Sequence, residues 1–285
     1  LDFNTFNRLI IIQSNKEFGE DIVHIIPLGH EIDRATKIFE SKKANRAYIL
    51  ATMDTFGKHS PSLVEEQKEF TDKVVQKLNE HDIETIVKTV DMFEPSEVIR
   101  HISSIIIKEK ARASNIYINI SSAGRLTAAA ATLAAMAHKI KAYYIEASGY
   151  SDNPKDKKEH GLSICDGTNA KWVEGLPVEL PSTQEMAVLK ALSQKSPMKP
   201  YDIILFLARN NFPGFREHLH VLEKGVRRRD DNYDGILIPC MMKLNKGILE
   251  KLKTKGFVTR EKLGNHNLVV LQESGRFVSY FAGEL

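Results

Sequence analysis

Five short runs of β-branched and aliphatic residues, each followed by a stretch with helical periodicity, constrain the fold of this chain more than any other feature. The runs are Ile22 to Leu28, Arg46 to Thr52, Glu84 to Val90, the segment of Ile116, Tyr117, Ile118 and Ile120, and Ala142 to Ala147. Continuous apolar runs of this length suit parallel strands buried on both faces. Between them, Ile32, Ala35, Ile38 and Phe39 fall at helical spacing, and Leu63 to His81 is amphipathic, entered through Ser60, Pro61 and Ser62. Pro95 to Ala113 and Ala128 to His138 are further helices. Strands alternating with helices through right-handed crossovers predict an α/β fold. We expect a Rossmann-like doubly wound parallel sheet in the order 3-2-1-4-5.

In that order strands one and four are neighbours, and their chains leave in opposite directions at the switch point where such sheets bind ligands. The loop after strand one runs from Gly29 to Arg34, and the loop after strand four lies within Asn119 to Thr127, NISSAGRLT. The turn amides of Ser122, Ala123 and Gly124, the hydroxyls of Ser121 and Ser122, and the guanidinium of Arg125 suit a phosphate or another anion. The bland alternative is that serine and glycine cap a helix whose alanines pack flat on the sheet. Convergence of two turns on one crevice favours a ligand site. The candidate ligand-binding residues are Gly29, His30, Glu31, Arg34, Thr52, Asp54, Ser121, Ser122, Ala123, Gly124 and Arg125. Neither loop reads GxxxxGK[ST] or GxGxxG, which argues against a P-loop or a dinucleotide site.

Beyond the fifth strand, Gly149 to Glu159 reads as a solvated lysine-rich loop, and Leu162 to Asp166 with Lys171 to Val173 as a hairpin. Pro177 and Pro181 mark a change of texture, so we expect domains at 1–178 and 179–285. The second is mainly α: helices from Thr183 to Ser193, Tyr201 to Arg209, Phe215 to Lys224 and Met242 to Lys255, the last stopped by Gly256. Strands Phe257 to Leu263 and Leu268 to Gln272 then complete a winged helix-turn-helix. Such a module puts its last long helix in the major groove of double-stranded DNA and its wing along the backbone. Candidate DNA contacts are Lys243, Asn245, Lys246, Lys253, Arg260, Lys262 and His266. The run Arg227, Arg228, Arg229 is followed by Asp230 and Asp231, a solvated surface. Phe277, Val278 and Phe281 exceed what a lone small domain buries, and homodimerisation is their expected use.

Composition narrows the class. Of 285 residues, 42% are hydrophobic and 27% charged, as in soluble globular proteins. No apolar run reaches membrane-spanning length, and residues 1–12 lack the features of a signal peptide, so a cytoplasmic protein is expected. Cys165 and Cys240 lie far apart without CxxC spacing, the histidines are scattered, and His24 sits inside an apolar strand. We therefore expect no metal and no cofactor, and assign no catalytic residue.

HIIPLGHEIDR after the first strand, NISSAGRLT after the fourth and the closing winged helix resemble the archaeal transcriptional regulators of the CRISPR-associated Rossmann fold, or CARF, type. In that family the loop after strand four reads acid or amide, x, Ser or Thr, x, Gly, x, Lys or Arg. Asn119, Ser121 and Arg125 match, whereas Ala123 holds the glycine place and Gly124 follows it. The resemblance implies a dimer in which two crevices join across the two-fold axis and bind a cyclic oligoadenylate. It implies a ligand-gated DNA-binding regulator. The alternative it offers is a ring nuclease, with Ser121, Ser122 and Arg125 stabilising charge and His30 or Glu31 as base.

Overall fold

A computed structural model describes residues 21–166, 170–176, 178–226, 232–264 and 266–283, the side chain of His266 excepted. Expectations on Arg227 to Asp231 and on the His266 side chain lie outside the described residues. The parallel strands are β1 (Ile22–Pro27), β2 (Arg46–Ala51), β3 (Glu84–Thr89), β4 (Asn115–Asn119) and β5 (Lys141–Ile145). They stand in the order β3-β2-β1-β4-β5, as the alternating pattern predicts.

Helices cover both faces because β1, β2, β4 and β5 are largely apolar on both sides, whereas the edge strand β3 stays mostly exposed. On one face, α1 (Asp33–Thr36, continued by a 3-10 turn) and α2 (Pro61–Asn79) pack Ile38, Phe70, Val74 and Leu78 against Ile26, Ile49 and Tyr143. On the other, α3 (Pro95–Lys110) and α4 (Arg125–His138) pack Ile99, Ile102 and Ile106 and the alanines 130, 131, 134 and 135 against Val23, Ile25 and Ile118. Small side chains on α4 let its backbone lie close to sheet and α3. At the opposite end of the sheet from the expected crevice, the fully buried Glu109 accepts hydrogen bonds from Tyr48 Oη (2.5 Å), Arg46 Nη1 (2.9 Å) and Ser114 Oγ (3.0 Å).

Two readings of the connecting region are corrected. Gly149 to Glu159 is not all loop: Asn153 Oδ1 accepts from the amides of Lys155 and Asp156 and, with Pro154 at the first position, starts a helix, α5 (Pro154–His160). Nor do residues 162–166 pair with 171–173. β7 (Ser163–Ile164) pairs with β6 (Gly149–Tyr150), while β8 (Ala170–Val173) joins the main sheet antiparallel to β5. The reason is Trp172, whose ring packs 5.5 Å from Tyr117 and 5.7 Å from Tyr143 at the sheet edge.

The winged helix follows. α6 (Thr183–Gln194) opens with a capping box of Ser182 and Glu185, and α7 (Pro200–Arg209) comes next. A 3-10 turn leads into α8 (Leu219–Lys224). The helix expected from Met242 begins earlier and runs over residues 233–254 as one rod, α9, widened to π geometry at Tyr233–Leu237 and Asn245–Leu249. Pro239 explains the first widening, since it offers no N–H and its ring would press on the carbonyl four residues back. The wing is β9 (Val258–Leu263) and β10 (His266–Leu271), with Met198 bridged to Val269.

The apolar tail forms the final helix, α10 (Glu273–Ser279), and the 3-10 turn Tyr280–Ala282. Phe281 is buried within the chain, and the Arg100 guanidinium of α3 lies 5.1 Å from the Tyr280 ring centroid, whereas Phe277 stays 40% exposed.

Candidate functional site

A cleft of about 380 Å³ opens at the C-terminal edge of β1 and β4, between the two loops that the strand order singles out. Leu28, Gly29 and His30 form one wall, and Ala123 to Thr127 the other. Gly29 N donates to Ser122 O at 2.7 Å, which ties the loops into one floor. Gly124 caps α4 with no side-chain hydrogen bond. The first amides of that helix have no partner within it, and the exposed Arg125 stands beside them, with no ion-pair partner among the described residues. Amides, dipole and guanidinium together suit an anion.

The serines have another task. Ser121 Oγ donates to Asn119 Oδ1 at 2.6 Å and Ser122 Oγ to Pro27 O at 2.8 Å, and both residues are buried. Asn119 Nδ2 in turn donates to Arg34 O. Their hydroxyls therefore shape the loop from inside and do not face the cleft.

Of the first loop, only Gly29 and His30 line the cleft. His30 stacks on Phe70 at 4.8 Å and lies 3.7 Å from Glu66. Burial holds its imidazole below the usual value, against Glu66, which raises it; Lys157 adds to the lowering. Glu31 points away: its carboxylate accepts from Ser163 Oγ at 2.8 Å and Ser163 N at 3.1 Å. Burial pushes this carboxyl above the ordinary range, opposed by Ser163 and Arg34. Arg34 lies under the floor, with Nη1 donating to Ser121 O at 3.2 Å and its guanidinium 5.1 Å from the Tyr144 ring. Asp33 accepts from Cys165 N and faces His160 Nδ1 at 3.0 Å. Glu31 and Asp33 thus clamp β7 and α5 onto the first loop, and Leu162 between them becomes a cleft wall.

Thr52 lines the cleft but is buried, its Oγ1 accepting from Met92 N at 3.2 Å. Asp54 is exposed and accepts from Thr55 N outside the cleft. Sequence reasoning misses Leu63, Phe93, Leu126 and Leu162, which add apolar lining, and the amide of Gln67 beside them. Phe93 and Leu126 are each 57% exposed. Their signal is weak in sequence, since an apolar residue at a helix entry usually means core. Beside Phe93, His59 Nε2 lies 3.0 Å from Asp91 Oδ1 and its ring 4.7 Å from that of Phe93.

On the winged helix a second concavity of about 490 Å³ lies between α7, α9 and the wing, lined by Lys199, Tyr201, Asn245, Arg260, Lys262 and Asn267. Lys246, Lys253 and Lys262 are exposed. Lys243 is also exposed, but it is engaged within the chain: Nζ donates to Pro213 O at 2.8 Å and stands 5.3 Å from the Phe215 ring. Among the described residues no group of histidine, cysteine and carboxylate side chains has the arrangement of a metal centre, and no helix is long and apolar enough to cross a membrane.

Comparison with known proteins matches the two halves separately. Residues 22–150 match a family described as "HFX_2341_N:-like, N-terminal", and residues 184–283 match the DUF6293 C-terminal winged helix domain. No curated protein sequence matches the chain. Among solved structures it is similar to protein VC1899 from Vibrio cholerae, with 14% identity and a TM-score of 0.37 over 91% of this chain and 64% of the other. It is also similar to Enterococcus italicus Csm6 bound to cyclic hexa-2'-fluoro-hexa-dAMP, with 15% identity and TM-score 0.39 over 72% and 52%. Can2 from Sulfobacillus thermosulfidooxidans in complex with cyclic tetra-adenylate gives 12% identity and TM-score 0.34 over 91% and 62%. The chain thus spans between about half and two thirds of the length of these proteins. Its order is thus a region similar to the HFX_2341_N:-like N-terminal domain followed by one similar to the DUF6293 C-terminal winged helix domain.

Proposed function

We propose that this chain is a ligand-responsive DNA-binding regulator, with a nucleotide-type ligand in the cleft and double-stranded DNA on the winged helix. The observation that carries the reading is the cleft itself. At the switch point, uncapped α4 amides and Arg125, without an ion-pair partner among the described residues, face an apolar wall holding His30 stacked on Phe70. Cation and amides take phosphate, while Phe93, Leu126 and Leu162 offer surface to bases. The resemblance in sequence names cyclic oligoadenylate as the ligand class.

A homodimer fits the same surface. Leu126, Ala129 and Leu133 are exposed along one side of α4, at the cleft mouth, and a second copy placed there would cover them and close the cleft. Ring-nuclease chemistry is not favoured, because the Ser121 and Ser122 hydroxyls and the Glu31 carboxylate are engaged inside the fold. The test is a thermal-shift screen with cyclic tetra- and hexa-adenylate, cyclic dinucleotides and mononucleotides. A ligand of the folded state raises the melting temperature by mass action. No shift with any of them at millimolar concentration rejects the nucleotide reading.

A further inference from the structure

We propose that α3 is a strut that couples the cleft to the DNA-reading helix α9 through the C-terminal segment 272–283. The inference rests on the regulator reading above for its purpose, and on contacts within the chain for its substance.

At the cleft end, α3 is preceded by Met92 and Phe93, both in the lining. Met92 is held on both sides: its amide donates to Thr52 Oγ1 at 3.2 Å, and its carbonyl accepts from Thr127 Oγ1, in the first turn of α4, at 2.6 Å. A ligand that moves the Thr127 turn therefore pulls on the residue three positions before α3 begins. The strut is stiff, because Val98, Ile99, Ile102 and Ile106 are fully buried along it.

At the far end the 3-10 turn Tyr280–Ala282 lies against α3 with no slack. A Cβ on Gly283 would stand 2.9 Å from Ser104 Oγ and 3.1 Å from Ser104 Cα, so backbone meets backbone there. Phe281 is buried at the same seam and Tyr280 sits under Arg100. The other end of the segment is fixed as tightly to the winged helix. A Cβ on Gly275 would fall 2.2 Å from Phe257 O, which also accepts from Gln272 N at 2.9 Å, and Ser274 Oγ donates to Gly256 O at 2.7 Å. Gly256 and Phe257 lie in the short turn between the end of α9 at Thr254 and the start of the wing at Val258. Two glycines thus pin one short segment to α3 and to the base of α9. Such a doubly tight contact transmits displacement instead of absorbing it.

Hydrogen exchange on the full chain tests the coupling without a ligand. Thr127→Val removes the hydroxyl that holds Met92 and should speed exchange of the Tyr280–Ala282 amides about fivefold. By reciprocity Gly283→Val should do the same to the amides of Met92 to Glu94. Arg100→Ala, which removes the stacking on Tyr280 together with an i,i+3 ion pair to Glu97 on α3, replaces Gly283→Val if that variant does not fold. Thr71→Val, on α2 behind the cleft-lining Gln67, should leave the Tyr280–Ala282 amides unchanged, as should every variant the β1 and β2 amides. Exchange changes confined to the domain that carries the substitution, or equal effects of Thr71→Val and Thr127→Val, overturn the strut. Failure of the chain to bind duplex DNA would overturn the regulator reading and leave the exchange result standing.

Discussion

Arg260 Nη2 lies 3.3 Å from Glu250 Oε1, so a cation of the wing is held by a carboxylate of α9 on the surface expected to meet DNA. Asn245 Oδ1 accepts from the same nitrogen at 3.0 Å. Two residues read from sequence as DNA contacts therefore hold each other, with Glu250 beside them. To reach a phosphate, Arg260 must leave a partner whose attraction is modest at a surface. Glu250→Gln should raise affinity for duplex DNA, by up to about fivefold, and steepen the salt dependence by about one counterion. In an Arg260→Gln background the gain should vanish. Fluorescence anisotropy across a salt series measures both quantities, and an equal gain in the two backgrounds would mean that Glu250 acts by general repulsion only.

Arg125 gives the cleft its second prediction. Because it is exposed and unpaired among the described residues, its removal should leave stability within about 0.5 kcal/mol of wild type. Binding of cyclic tetra-adenylate should fall tenfold or more, the order expected for a charge-assisted contact to phosphate, about 1.5–3 kcal/mol. Ser122→Ala should behave in the opposite way. Its hydroxyl donates to Pro27 O in the core, so the cost falls on stability, about 1–3 kcal/mol. Calorimetry and thermal melting on the two variants separate the roles; equal affinities for wild type and Arg125→Ala would remove Arg125 from the site.

The contrast between Arg125 and Ser122 also shows what the sequence can and cannot disclose. Strand order and the switch point were legible because buried parallel strands leave continuous apolar runs. That the loops after β1 and β4 border one cleft was legible for the same reason. The direction of each side chain was not, since Ser121, Ser122, Glu31 and Arg34 look equally polar in a sequence whichever way they point. Their inward partners, Asn119, Pro27, Ser163 and the Ser121 carbonyl, come from distant segments. Phe93 and Leu126 were invisible for the converse reason: apolar character predicts burial, and only the fold shows them at a rim. The tail of Phe277, Val278 and Phe281 looks equally apolar in sequence whatever covers it; the fold buries Phe281 and leaves Phe277 40% exposed.

Glu109 offers a stability test far from both surfaces. It is fully buried at the end of α3 and takes hydrogen bonds from Arg46, Tyr48 and Ser114. Burial, then Glu109 as hydrogen-bond acceptor and charge, pushes the Tyr48 hydroxyl up to about 12. Glu109→Ala leaves the buried Tyr48 hydroxyl without its acceptor, while Arg46 keeps Glu84 at 2.9 Å, and should cost about 1–3 kcal/mol. Denaturant unfolding should show the loss as a lower midpoint with unchanged slope, and cleft and DNA affinities of the folded protein should not change.

His24 sets a pH dependence whose sign follows from burial. It lies 3% exposed in β1, with Nδ1 2.9 Å from Tyr143 Oη and its ring 4.9 Å from that of Phe39. Desolvation lowers its pKa to about 4 in the folded chain, against about 6.5 when unfolded. Between those values the unfolded state binds the extra proton, so stability rises with pH. The contribution is fully present above about 6.5 and is lost as pH falls toward about 4, for a total of about 3 kcal/mol. His138, lowered to about 4 mainly by burial and further by Lys110, acts in the same direction over the same window. His24→Gln keeps a partner for Tyr143 but cannot titrate. Its unfolding free energy, measured by denaturant from pH 7 to 4, should fall less steeply than that of wild type, by close to one proton's slope. Parallel curves would show that the imidazole is already charged in the folded core, or that it is not buried there at all.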